Sequence, residues 1–85
     1  MKVIDVRSKS EYDRQHVNGA LWFDVERIAA GEMPDVPRDE EIVLYCRSGA
    51  RSSAAMYIMQ QHGFTNVTSG GGLANMAARG YELVR

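Results

Sequence analysis

No second cysteine accompanies Cys46, so an intrachain disulfide and a cysteine-built metal cluster are both excluded by count. The two histidines, His16 and His62, lie far apart in the chain, and structural zinc is not indicated. No cofactor is expected. Charge of one sign is also lacking: ten Lys and Arg against eleven Asp and Glu leave a net charge of −1, which argues against nucleic acid as a partner. No apolar run approaches the roughly 18 residues of a membrane span. No signal-peptide pattern is visible, and because a mature secreted form would have lost one, the compartment stays open. Proline is scarce as well. Pro34 and Pro37, with the charged run Arg38-Asp39-Glu40-Glu41, mark the longest loop, read as a solvated connection. Length predicts one domain over residues 1–85, of a size that buries about 60–65% of its unfolded surface.

What is present is an alternation of short strand and helix signals. Val3, Ile4 and Val6 read as a buried strand, and Ser8-Lys9-Ser10-Glu11 offers a capping box for a helix to about Gln15. Val17-Asn18-Gly19-Ala20 is a turn, Leu21-Trp22-Phe23 a brief strand, and Asp24 a cap for a helix to about Ala30. After Cys46, residues Ala54, Ala55, Tyr57, Ile58 and Met59 supply an apolar helical face ending at His62-Gly63. The methionines read as core filler. Asn66-Val67-Thr68 is a strand, Gly70-Gly71-Gly72 a tight turn packed against the Cys46 loop, and Leu73 to Arg79 a last helix stopped by Gly80. The pattern predicts an α/β fold, a small parallel sheet with helices on both faces and a ligand at the carboxyl ends of its strands.

Cys46 stands at such an end. The apolar run Ile42-Val43-Leu44-Tyr45 gives way there to Arg47-Ser48-Gly49-Ala50-Arg51-Ser52 and then to a helix. Free cysteine is usually a small buried hydrophobe. An apolar filler, however, has no need of a glycine and two arginines within five residues. A strand feeding a helix through a tight loop aims N–H groups and a positive dipole end at the residue that starts the loop. Arg47 and Arg51 add positive charge, favouring the thiolate and drawing in an anion. Cys46 is therefore the candidate nucleophile. Asp5, Arg7 and Glu11 read as a charge network bracing the loop, and His16 and His62 as structural.

Taken in order, the motifs are specific. Asp5-Val6-Arg7, Glu11-Tyr12, His16-Val17-Asn18-Gly19-Ala20, the strand and loop from Ile42 to Ser52, Gly63-Phe64-Thr65-Asn66-Val67 and Gly71-Gly72-Leu73 together resemble a single-domain rhodanese. That family consists of sulfurtransferases whose persulfide forms on a loop cysteine. The helix and strand that commonly precede D-V-R are missing, so the chain resembles the compact phage-shock type. Its members are often periplasmic, which implies a periplasmic mature chain or else a cytoplasmic one. Gln15 and Met76 replace the usual glycine and tryptophan, with consequences for packing rather than chemistry.

The resemblance implies that Arg47, Ser48, Gly49, Ala50, Arg51 and Ser52 surround the terminal sulfur of a Cys46 persulfide. Cys46 and Arg51 are separated by four residues. Tyrosine phosphatases have a similar loop with five, because a phosphoryl group needs a wider cradle. The expected reaction is double displacement, with thiosulfate or another sulfane-sulfur donor and cyanide or a thiol as acceptor. With no second cysteine to resolve the persulfide, the acceptor is external, a small thiol or a redox protein. A monomer is expected. Two other readings stand beside this one: a non-catalytic or sulfur-carrier rhodanese module that binds partner proteins, and a cysteine-based phosphatase or arsenate reductase, against which the loop length argues.

Overall fold

The computed structural model describes residues 1–85. Ten elements follow one another: β1 (Lys2–Asp5), α1 (Lys9–Arg14), β2 (His16–Val17), β3 (Leu21–Trp22), α2 (Val25–Ala29), β4 (Ile42–Cys46), α3 (Ala50–Gln61), β5 (Val67–Gly72), α4 (Leu73–Ala78) and β6 (Leu83–Val84). The main sheet has the order β3-β1-β4-β5 and is parallel throughout. A parallel sheet covered on both faces needs strands that are apolar on both sides. All five residues of β4 are buried.

Alternation along β4 sorts these residues into two cores. Ile42, Leu44 and Cys46 join Ile4, Ile28, Ala55, Met59, Phe64 and Val67 on the face covered by α2 and α3. Val43 and Tyr45 face the other way, with Val17, Ala20 and Met76 of α4. The expected arrangement of helices on both faces is thus present. In space the chain turns from β1 outward to β3 and then returns past β1 to β4. The sheet changes direction between β1 and β4, and the crevice beyond their carboxyl ends is where such folds bind ligands.

Local signals formed as read. Glu11 N–H donates to Ser8 Oγ at 3.3 Å, while Glu11 Oε1 accepts the Ser8 N–H at 3.1 Å, closing the capping box of α1. Asp24 caps α2 by accepting the Arg27 N–H at 3.0 Å.

Two readings of the sequence are corrected, and one strand pairing is new. Gly70-Gly71-Gly72 packs against the Cys46 loop as expected, yet it is not a turn but the end of β5, which carries one more residue than β4 between the pairs Leu44–Ser69 and Cys46–Gly72. Gly71 takes up this bulge with φ +89. The buried face of α3 is Ser52, Ala55 and Met59, whereas Ala54 is exposed and Tyr57 is 62% exposed. The five residues read as one apolar face spread over too wide an arc, and the seat nearest the helix start belongs to a polar serine. Finally, His16–Val17 and Leu83–Val84 pair as a small antiparallel sheet, which no pattern in these short segments announced.

Candidate functional site

Cys46 ends β4, and the chain turns at once into α3. Gly49 makes the turn, with φ +98 as the N-cap of α3, a conformation that favours glycine. The first N–H groups of a helix have no partner within it. Here they find sulfur: Gly49 N–H donates to Cys46 Sγ at 3.0 Å and Ser52 N–H at 3.4 Å. The Ser52 hydroxyl lies 3.5 Å from the same sulfur. Cys46 is fully buried, and burial is the largest single influence on its thiol, pushing the pKa up. The hydrogen bonds from Ser52, through hydroxyl and N–H, and from Ser48 and Gly49 N–H outweigh it, and the net direction is downward.

Gly72 supports the loop from below. A Cβ there would stand 2.1 Å from the Arg47 carbonyl oxygen, so only glycine lets β5 approach so closely. The Gly72 N–H donates to Asn75 Oδ1 at 2.9 Å, which ties the end of β5 to the start of α4.

The charged residues form two pairs rather than one network. Arg7 grips Asp5 through Nε, Nη2 and its backbone N–H at 2.7–3.1 Å, and Nη2 also donates to the Gln15 carbonyl. Burial opposes the Arg7 charge, but the bond and field of Asp5 prevail and raise its pKa. Tyr45 is pushed up, mainly by burial, and stays a neutral phenol that accepts the Val17 N–H at 3.0 Å. The second pair crosses to the loop: Arg51 donates to both Glu11 carboxylate oxygens at 2.8 and 3.0 Å. The Arg51 bond holds Glu11 down at about 2, and Glu11 in turn raises Arg51. Arg51 is thus partly neutralised, while Arg47 is exposed and has no carboxylate partner.

A cleft of about 340 Å³ opens beside the loop, lined by Arg7, Glu11, Arg14, Gln15, Arg47, Leu73 and Ala74. Sequence reasoning missed Arg14, which reads only as part of a helix end, and assigned Gln15 a role in packing alone. It also missed Ser69, whose hydroxyl lies 2.7 Å from Ser52 Oγ. Nothing in the stretch Thr68-Ser69-Gly70 links it to Cys46; only the pairing of β5 with β4 does.

The rhodanese-like domain family matches residues 1–77 of this sequence. The chain belongs to that family. Thiosulfate sulfurtransferase PspE of Escherichia coli is 36% identical over 78 residues, covering 87% of this chain and 72% of that protein. A sulfurtransferase of Allochromatium vinosum is 32% identical over 83 residues, 96% of this chain and 77% of its own length. The crystal structure of a rhodanese-like domain from Anabaena superposes with a TM-score of 0.88 at 26% identity, over 100% of this chain and 99% of that one. The rhodanese fold thus accounts for the placement of Cys46 at the head of α3.

Proposed function

We propose that this rhodanese is a sulfurtransferase that moves sulfane sulfur from thiosulfate, through a Cys46 persulfide, to an external acceptor. The observation that carries the reading is the capture of Cys46 Sγ by the Gly49 and Ser52 N–H groups at the start of α3. Donors already aimed at an anionic sulfur favour the thiolate and cost no reorganisation when charge develops.

In the first half-reaction the Cys46 thiolate attacks the outer sulfur of thiosulfate. A new S–S bond forms, the old one breaks, and sulfite leaves with its electron pair. The outer sulfur remains on Cys46 as an anionic persulfide. N–H groups of the loop from Arg47 to Arg51, with the Ser52 hydroxyl, are the donors available to it. In the second half-reaction cyanide, or the thiolate of an acceptor, attacks that sulfur and the Cys46 thiolate leaves. The acceptor is external because the chain has no other cysteine. Arg47, exposed and unpaired, and Arg51, shared with Glu11, supply positive charge for the thiosulfate dianion. The Asp5–Arg7 and Glu11–Arg51 pairs hold the neighbouring backbone.

Mass spectrometry of the intact protein after thiosulfate treatment tests the reading. Addition of one sulfur atom, removed by cyanide and absent from Cys46→Ser, is the expected result. A folded protein that gains no sulfur on Cys46 overturns it. Repeated formation of thiocyanate separates an enzyme from a stoichiometric carrier. Hydrolysis of an aryl phosphate should be negligible, and efficient Cys46-dependent phosphate release would favour a phosphatase instead.

A further inference from the structure

Beneath Cys46 the hydroxyl of Ser52 lies closer to that of Ser69 than to sulfur. Ser52 Oγ is 2.7 Å from Ser69 Oγ, 3.1 Å from the Gly49 carbonyl oxygen, and 3.5 Å from both the Gly71 carbonyl oxygen and Cys46 Sγ. Ser52 is fully buried and has one hydrogen to give. When Cys46 is a thiol, its S–H donates to Ser52 Oγ and the Ser52 hydrogen turns to an oxygen. When Cys46 is a thiolate, sulfur accepts only, and the Ser52 hydrogen is wanted there. A separation of 2.7 Å between two hydroxyl oxygens requires a hydrogen between them. With the Ser52 hydrogen on sulfur, that hydrogen must come from Ser69.

We propose that Ser69 is a positioning residue, whose hydroxyl donates to Ser52 Oγ whenever Cys46 carries negative charge and so releases the Ser52 hydrogen for sulfur. Both hydrogens stay on their own oxygens; only the two C–O torsions change, and no proton leaves the site. The Gly71 N–H, 3.4 Å from Ser69 Oγ, supplies that oxygen with a donor while it gives its own hydrogen away. A fixed carbonyl, such as that of Gly49, can only accept and cannot play this part. The pair therefore adapts to both protonation states of sulfur, while the N–H donors of Gly49 and Ser52 stay constant. The charged groups around Cys46 are Arg47 on the loop, Arg51 on α3 with its partner Glu11 on α1, and the Asp5–Arg7 pair beside β1. All are unchanged by substitution at Ser69.

The inference rests on Cys46 being the nucleophile, and its test needs no sulfur donor, so the two can fail separately. The rate of Cys46 alkylation by iodoacetamide is measured against pH. Ser69→Ala should move the midpoint upward by about 0.5 to 1 pH unit, the equivalent of one net hydrogen bond. Ser69→Thr and Ser69→Val have the same shape and suit a strand. The threonine should keep the wild-type midpoint, and the valine should shift like alanine. In a Ser52→Ala background the loss of Ser69 should add nothing, because Ser69 acts only through Ser52. Equal midpoints for threonine and valine would overturn the proposal. So would a Ser69→Ala shift that persists undiminished without the Ser52 hydroxyl.

Discussion

Two arginine–carboxylate pairs lie near one another in this protein, and they differ in the water around them. Asp5 and Arg7 show 0% and 6% side-chain exposure, whereas Glu11 and Arg51 show 24% and 36%. Both are held by two or more hydrogen bonds of similar length. In the buried pair every donor counts, because removing one partner leaves a charge with neither water nor counter-ion. In the outer pair water can replace either partner, and the contribution to stability is small. Similar geometry thus serves different ends. The inner pair holds the end of β1 and, through the Gln15 carbonyl, the end of α1. The outer pair sets how much positive charge the loop presents.

Breaking the inner pair has the largest expected effect. Asp5→Ala should lower the unfolding free energy by about 3–5 kcal/mol, since Arg7 is then buried without its partner. Urea unfolding measures it, and a loss under about 1 kcal/mol would mean that the two pairs do not differ as described. Arg51→Ala should reverse the pattern. Stability should fall by only about 0–1 kcal/mol, while KM for thiosulfate rises more than kcat falls, as the charge acts on bound dianion and transition state alike. Steady-state kinetics at low ionic strength reads this directly. Arg47→Ala should act in the same sense, and added salt should weaken the wild-type enzyme as screening requires.

Glu11→Gln sharpens the contrast further. Glutamine still serves a capping box, so the change removes charge and little else. Arg51 is then no longer neutralised, and KM for thiosulfate should fall at low salt, with the difference from wild type fading as salt is added. The smallest effect is in pH. Glu11 is held at about 2 in the folded protein against an ordinary value of 4.5. Its contribution is therefore fully present above about pH 4.5 and is lost as pH falls through about 2. Wild type should exceed Glu11→Gln by about 1 kcal/mol or less above that window, and the two stability curves should converge at its acid end.

The parts of the molecule legible in the sequence are those governed by neighbours a few residues apart. Ser8 and Glu11 announce the start of α1 because a capping box spans four residues. Ile42 to Cys46 announces a strand buried on both faces because each residue is apolar. Cys46, Gly49, Arg51 and Ser52 announce a helix start aimed at sulfur because the turn and the helix are continuous in the chain. Tyr57 lies off the buried face of α3 for a related reason. Apolar spacing fixes a helical face only when the buried seats are apolar, and one of the three in α3 is Ser52.

Tertiary structure decided what depends on register and docking. Glu11 reaches Arg51 across 40 residues, and whether the pair forms depends on how α1 lies against the head of α3. Gly72 passes under the Arg47 carbonyl and Ser69 reaches Ser52 only because β5 pairs with β4 through a one-residue bulge. Strand register is set by which side chains fill the core between distant segments, and no local pattern encodes it. The sequence by itself determined the candidate nucleophile and the element that presents it, since both lie in one stretch of chain; the water around each ion pair and the hydroxyls beneath the sulfur were settled only when the sheet closed.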